Sequence, residues 1–314
     1  MPLAGSHTNL AASWVSIQDG SSASLITWTI NGHSTSGNIT GSSLDQTGLS
    51  IDSKTYAFTG TISGSSVTLN LSGGSTLTGS VSTIRLQLQI ADSAGTVQSY
   101  NFTPGTVSAY NAAVKSIQSV VSKNQTSSTQ ESSINSAAQT VSNDVSSIDS
   151  DVSNWKGSVP GLESDLTGMA GDVQTTKNSA AVTQNVNPSE SEACDDAYTT
   201  QDDAYTVQDD MYSLQDDEGS ANTYLTSLNS TLSSLPSDWS TYQQALTAMP
   251  NYQSQYAVSS SQEHSALSQG ASESSVFSAK ESQITATGQS LLNEANQVAA
   301  SALTDASNRT SGGC

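Results

Sequence analysis

The chain has 314 residues, enough for two domains, and carries 8 Lys and Arg against 28 Asp and Glu, a formal net charge of −20. That balance excludes nucleic acid and anionic membrane surfaces as primary partners, because both are contacted first through Lys and Arg. Hydrophobic residues make up 34% and aromatic residues 5%, too little for two large globular cores but enough for helices meeting along narrow seams, and about a third of all residues are Ser or Thr. With no run of about 18 apolar residues, no direct membrane insertion is expected. The opening stretch Met1-Pro2-Leu3-Ala4-Gly5-Ser6-His7 shows neither a basic nor an apolar signal-peptide region.

From about residue 8 to residue 103 the apolar residues alternate, the period of a strand. Leu25-Ile26-Thr27-Trp28-Thr29-Ile30 runs into Asn31-Gly32, a dipeptide favoured in tight hairpins because both positions take positive φ. Tyr56 to Ile62 leads through Ser63-Gly64 into Val67 to Leu71, Gly73-Gly74 opens the next run, Ile84 to Ile90 alternates cleanly, and Val97 to Phe102 closes the set. About seven or eight short strands at this spacing predict an antiparallel β meander closing into a barrel or a sandwich, with one wet face. The acids Asp19, Asp45, Asp52 and Asp92 fall at turns, where Asp caps backbone rather than binding metal. A barrel of this size can hold one ligand.

Thr103-Pro104-Gly105 ends this pattern, and the period becomes helical. Val141, Val145, Ile148, Val152, Trp155, Val159, Leu162, Leu166, Met169 and Val173 are spaced alternately four and three, a coiled-coil seam. A second seam runs from Ala197 and Thr200 through Val207, Leu214, Leu228, Leu235 and Tyr242 to Met249, and a third through Tyr256, Leu267, Phe277, Ile284, Leu291, Ala295, Val298 and Ala302. The expected fold class is therefore α+β in two domains: a β-rich head over 1–105 and an antiparallel three-helix coiled-coil stalk over 106–314. The helices are expected at about 107–186, kinked near 157–160 by Gly157 and Pro160, then 189–249 and 250–307. Flanking positions are mostly Ser, Gln, Thr and Asn, so the seams rather than interhelical ion pairs are expected to hold the stalk together.

The second helix carries an internal repeat: Asp195-Asp196-Ala197-Tyr198-Thr199-Thr200-Gln201, Asp202-Asp203-Ala204-Tyr205-Thr206-Val207-Gln208 and Asp209-Asp210-Met211-Tyr212-Ser213-Leu214-Gln215. Tyr198, Tyr205 and Tyr212 form a stripe beside the acids. It reads either as a solvated face with its rings against a neighbouring helix, or as an interface for a protein partner or for self-association. A straight helix cannot converge the several oxygens that calcium takes, so no metal site is expected. Cys194 and Cys314 lack CxxC or His company, which disfavours zinc, and a chain reversal at Pro250 brings both to one end of the stalk, making them a disulfide candidate. Such a bridge belongs to an oxidising compartment.

Leu69-Asn70-Leu71-Ser72-Gly73, Leu86-Gln87-Leu88-Gln89-Ile90, Phe102-Thr103-Pro104-Gly105, the start Cys194-Asp195-Asp196-Ala197 and the terminal Gly313-Cys314 resemble uncharacterised secreted or surface proteins of Gram-positive actinobacteria. In that group a β-rich domain precedes a long helical region. The resemblance implies an extracellular or cell-surface location and carries no activity or site. The expected function is a non-enzymatic structural, adhesive or assembly protein, without a cofactor. The alternative is a ligand-binding module, with a glycan or small apolar molecule in the β domain. A third reading is a substrate of a specialised Gram-positive secretion system, since Trp155-Lys156-Gly157 matches a Trp-x-Gly turn and Tyr198 to Asp202 a Tyr-x-x-x-Asp signal. No acid–base or nucleophile constellation points to an enzyme.

Overall fold

A computed structural model of the chain describes residues 9–91, 97–185, 190–310 and 314. The chain is α+β and forms two compact units that divide between Gln130 and Glu131.

In the first unit, β1 (Ser13–Gln18), β2 (Ser22–Asn31), β3 (Ser34–Leu44), β4 (Ile51–Ser63), β5 (Ser66–Leu71), β6 (Thr76–Val81), β7 (Leu86–Ala91) and β8 (Val97–Pro104) are all antiparallel. They pair in chain order, and β1 also pairs with β8, so the sheet is a closed barrel rather than a sandwich. Alternation sends Trp14, Ile26, Trp28, Phe58, Ile62, Leu69, Leu86, Leu88 and Phe102 into one buried cluster. Trp14 and Trp28 meet edge to face with ring centroids 6.1 Å apart, and Trp28 Nε1 donates to the Ala11 carbonyl at 2.7 Å. The β2–β3 reversal falls one residue later than Asn31-Gly32 suggests: Asn31 pairs with Ser34, and Gly32 alone takes a left-handed φ, +62°.

Three glycines let the barrel coil tightly. Gly37, Gly60 and Gly79 pair with the bulky Trp28, Leu69 and Leu88. A Cβ on any of them would collide with a backbone carbonyl of the neighbouring strand: that of Thr27, Thr68 or Gln87. Closure of a small barrel needs such side-chain-free positions where strands bend.

The helix α1 (Val107–Asn185) begins in this unit. Its Tyr110 and Ile117 cover Val15, Ala23 and Leu25, which point out of the barrel wall, so the outer face expected to be wet is partly dry. Tyr110 Oη and Ser42 Oγ are 2.8 Å apart, and the amides of Asn124 and Gln125 donate to the Gly48 and Leu49 carbonyls at 2.9 and 2.8 Å. This packing moves the division well beyond Gly105, where the sequence period changes.

The second unit contains the rest of α1 together with α2 (Glu190–Ala248) and α3 (Ser260–Arg309). Its core holds the expected seam residues, among them Val141, Ile148, Leu162, Met169, Val207, Leu228, Leu235 and Ile284. Trp155 stacks on Phe277 with centroids 3.8 Å apart. The helix α1 continues through Gly157 and Pro160 as one element, with Ser158 Oγ bonding back to the Trp155 carbonyl at 2.7 Å. The start of α3 lies at Ser260 instead of Pro250, because Ser259 and Gln262 form a capping box that satisfies its first amides. Tyr252, Tyr256 and Val258 precede it and pack on the core. Residues 186–189, where the α1–α2 reversal is expected, lie outside the described residues.

Three ion pairs nevertheless join the helices. Lys156–Glu273, Lys280–Glu163 and Lys177–Glu294 each meet at 2.6 Å, joining α1 to α3. Each partner lies 117 residues from the other, the spacing also of the Asn135–Tyr252 bond, so the two helices run parallel in one fixed register. The pairs recur at heptad steps. Exposed pairs of this kind contribute about 0–1 kcal/mol each, and their main effect is to set register. No helix among the described residues is long and apolar enough to cross a membrane.

Candidate functional site

The barrel is filled unevenly. Its aromatic and aliphatic cluster closes one stretch of the interior, while a cavity of about 220 Å3 lies among Ser24, Ile39, Gly41, Lys54, Tyr56, Leu71, Leu77, Leu88, Tyr100 and Phe102. Strand register places these residues in tiers. Ser24, Gly41 and Lys54 are neighbours across β2, β3 and β4, and Ile39 pairs with Tyr56 one step further in. Leu88 pairs with Tyr100, and Leu86 beneath them with Phe102. The walls are apolar; Tyr56 and Tyr100 are partly exposed, and the Tyr100 hydroxyl donates to Gln98 Oε1 at 2.8 Å. Lys54 is exposed and forms no ion pair among the described residues.

Of the turn acids, Asp45 is a backbone cap. Its carboxylate accepts from Thr47 Oγ1 at 2.7 Å and from the Leu49 and Ser50 amides at 3.0 and 3.3 Å. These bonds, the Thr47 hydroxyl first, lower its pKa to about 2 despite some desolvation. Asp19 accepts from Ser116 Oγ on α1 at 3.2 Å. Asp92 and His7 lie outside the described residues.

In the second unit the sulfurs of Cys194 and Cys314 are bonded, closing 120 residues into a loop with Cα atoms 5.5 Å apart. Tyr198, Tyr205 and Tyr212 are 45%, 52% and 56% exposed. The Tyr198 hydroxyl donates to the Cys314 carbonyl at 2.8 Å, while Gln201 and Gln208 donate to the hydroxyls of Tyr205 and Tyr212 at 3.2 and 3.0 Å. Trp155 and Gly157 lie inside α1 instead of at a turn.

Acids that the sequence reading passed over face one another between α1 and α2. Asp144 meets Asp238, Asp165 meets Asp217, and Asp172 meets Asp210. Each heptad step forward along α1 is matched by one back along α2, and Ser179 continues the row by donating to Asp203 Oδ2 at 2.6 Å. Asp144 Oδ2 and Asp165 Oδ2 are shielded from solvent and meet no donor among the described residues. Burial, followed by the hydrogen bond and repulsion from the partner, pushes Asp144 and Asp210 up to about 6; Asp165 and Glu281 shift the same way, Glu281 against Glu218. No group of three or more His, Cys, Asp or Glu among the described residues is arranged to hold a metal ion.

No protein-family model, no curated protein and no solved structure matches this chain.

Proposed function

We propose that this is a non-enzymatic extracellular protein whose barrel is a binding module for a small apolar molecule and whose helical bundle is its structural part. The observation that carries the reading is the apolar cavity at one end of the barrel interior. A side-chain-filled barrel needs no such space, and an eight-stranded barrel has room for either a packed core or one small ligand. The Cys194–Cys314 bridge supports the extracellular part, since such bonds persist in oxidising compartments. Titration of the full chain with the uncharged fluorophore N-phenylnaphthylamine tests it. Saturable, blue-shifted emission at about one probe per chain is expected, and its loss on filling the cavity through Gly41→Leu. The absence of any saturable site would remove the reading.

A second reading, a structural or assembly subunit, is favoured by the tyrosine stripe, because three large rings stay exposed at heptad spacing on α2. Sedimentation of the full chain distinguishes it: self-association that is lost when Tyr198, Tyr205 and Tyr212 are all changed to Ser would support assembly through this face.

A further inference from the structure

The barrel cavity combines two features that narrow its ligand. The first is Gly41. Gly37, Gly60 and Gly79 have no choice of residue, because a Cβ there would strike a backbone carbonyl. Gly41 is different: its φ is not left-handed, and an added Cβ would meet only Ser24 Oγ, at an ordinary 3.6 Å. A Cβ is therefore tolerated there, and a β-branched or aliphatic residue would suit the strand better and extend into the cavity. Glycine at this position leaves the space open.

The second feature is Lys54. The protein has 8 Lys and Arg among 28 Asp and Glu, and three of its lysines are held in the α1–α3 ion pairs. Lys54 stands directly across from Gly41, lines the cavity, and has no carboxylate within ion-pair distance among the described residues. The nearest acid in sequence, Asp52, sits two positions earlier on the same strand and does not pair with it. A lone ammonium at the edge of an apolar space is complementary to an anion with an apolar body.

We propose that the cavity takes a short-chain amphiphile with an anionic head, of the medium-chain carboxylate class, its head on Lys54 and its chain against Leu77, Leu88 and Phe102. This rests on the reading of the barrel as a binding module. The size agrees: about 220 Å3 is below the ~300–1,000 Å3 usual for drug-sized ligands and suits a single short chain.

Calorimetric titration of the full, disulfide-closed chain with octanoate and with octanol, both as dissolved monomers, tests the head and the chain separately. Octanoate is expected to bind about 1.5-fold to fivefold more tightly than octanol at low salt, the range for an exposed charge contact. Lys54→Met should bring octanoate to the octanol level and leave octanol unchanged, and 0.5 M salt should have the same effect on the wild-type chain. Gly41→Leu should abolish binding of both without lowering the melting temperature. Equal binding of the two probes to the wild-type chain overturns the anionic-head assignment and leaves the cavity reading standing. So does failure of both while N-phenylnaphthylamine still binds. Failure of all three overturns both readings.

Discussion

Asp144 on α1 and Asp238 on α2 face each other as a carboxyl pair, and burial together with that neighbour pushes Asp144 up to about 6. Asp172 and Asp210 repeat the arrangement, with Asp210 raised to about 6, and Asp165 with Asp217 repeats it in direction. Groups whose pKa is raised on folding bind protons more tightly in the folded state. Their stabilisation is complete below the unfolded value of about 4 and is lost as pH rises through about 6. The melting temperature of the bundle is therefore expected to fall between about pH 4 and pH 7. Asp144→Asn and Asp210→Asn together should raise it at about pH 7 and flatten the profile, leaving the value at about pH 4 unchanged. A profile unaffected by both changes would contradict the raised values. In the barrel, Asp45 has the opposite sign: its lowered pKa gives stability present above about 4 and lost as pH falls toward about 2.

The Cys194–Cys314 bridge closes 120 residues, and in the chain-entropy model such a loop contributes about 4–5 kcal/mol. Reduction should lower the transition of the bundle and leave that of the barrel in place, because the barrel has no Cys. Calorimetric scans with and without reductant check this; two transitions shifting together would contradict it.

Buried seam positions should separate sharply from their exposed neighbours. Val152→Asp or Leu228→Asp puts a charge into a dry core and is expected to cost several kcal/mol, whereas Ser153→Asp and Gln243→Asp, both exposed, should stay within about 0.5 kcal/mol. Urea unfolding of the four variants measures the difference.

Glycine replacements should have opposite signs in the two units. Gly219 lies inside α2 with open space around it, so Gly219→Ala should stabilise the bundle by about 0.5–1 kcal/mol. Gly79→Ala would drive a Cβ into the Gln87 carbonyl and should destabilise the barrel by more than that. Thermal melts resolve both.

The seams were legible because heptad spacing is a property of one segment at a time, and Val141 through Val173 declare it without reference to a partner. The carboxyl pairs were not, since Asp165 and Asp217 become neighbours only once the α1–α2 register is set. The Lys–Glu row on α3 was missed for the same reason: its members are few and lie 117 residues apart. At the start of α3, Pro250 was read as a helix opener, while the capping signal lay in Ser259 and Gln262. In the barrel, alternation identified the inward residues. It could not say which end is filled, because that depends on which tiers carry Trp14 and Trp28 and which carry Gly41.

The bridge has a further effect on what a protease can release. A cut anywhere in the connection between α2 and α3 falls inside the loop closed by Cys194 and Cys314. The nicked chain would stay one molecule, migrate at full size without reductant, and keep α3 tethered beside α2 at high local concentration. Breaking the backbone once would therefore not shed a fragment; separation needs a second event of a different chemistry, reduction.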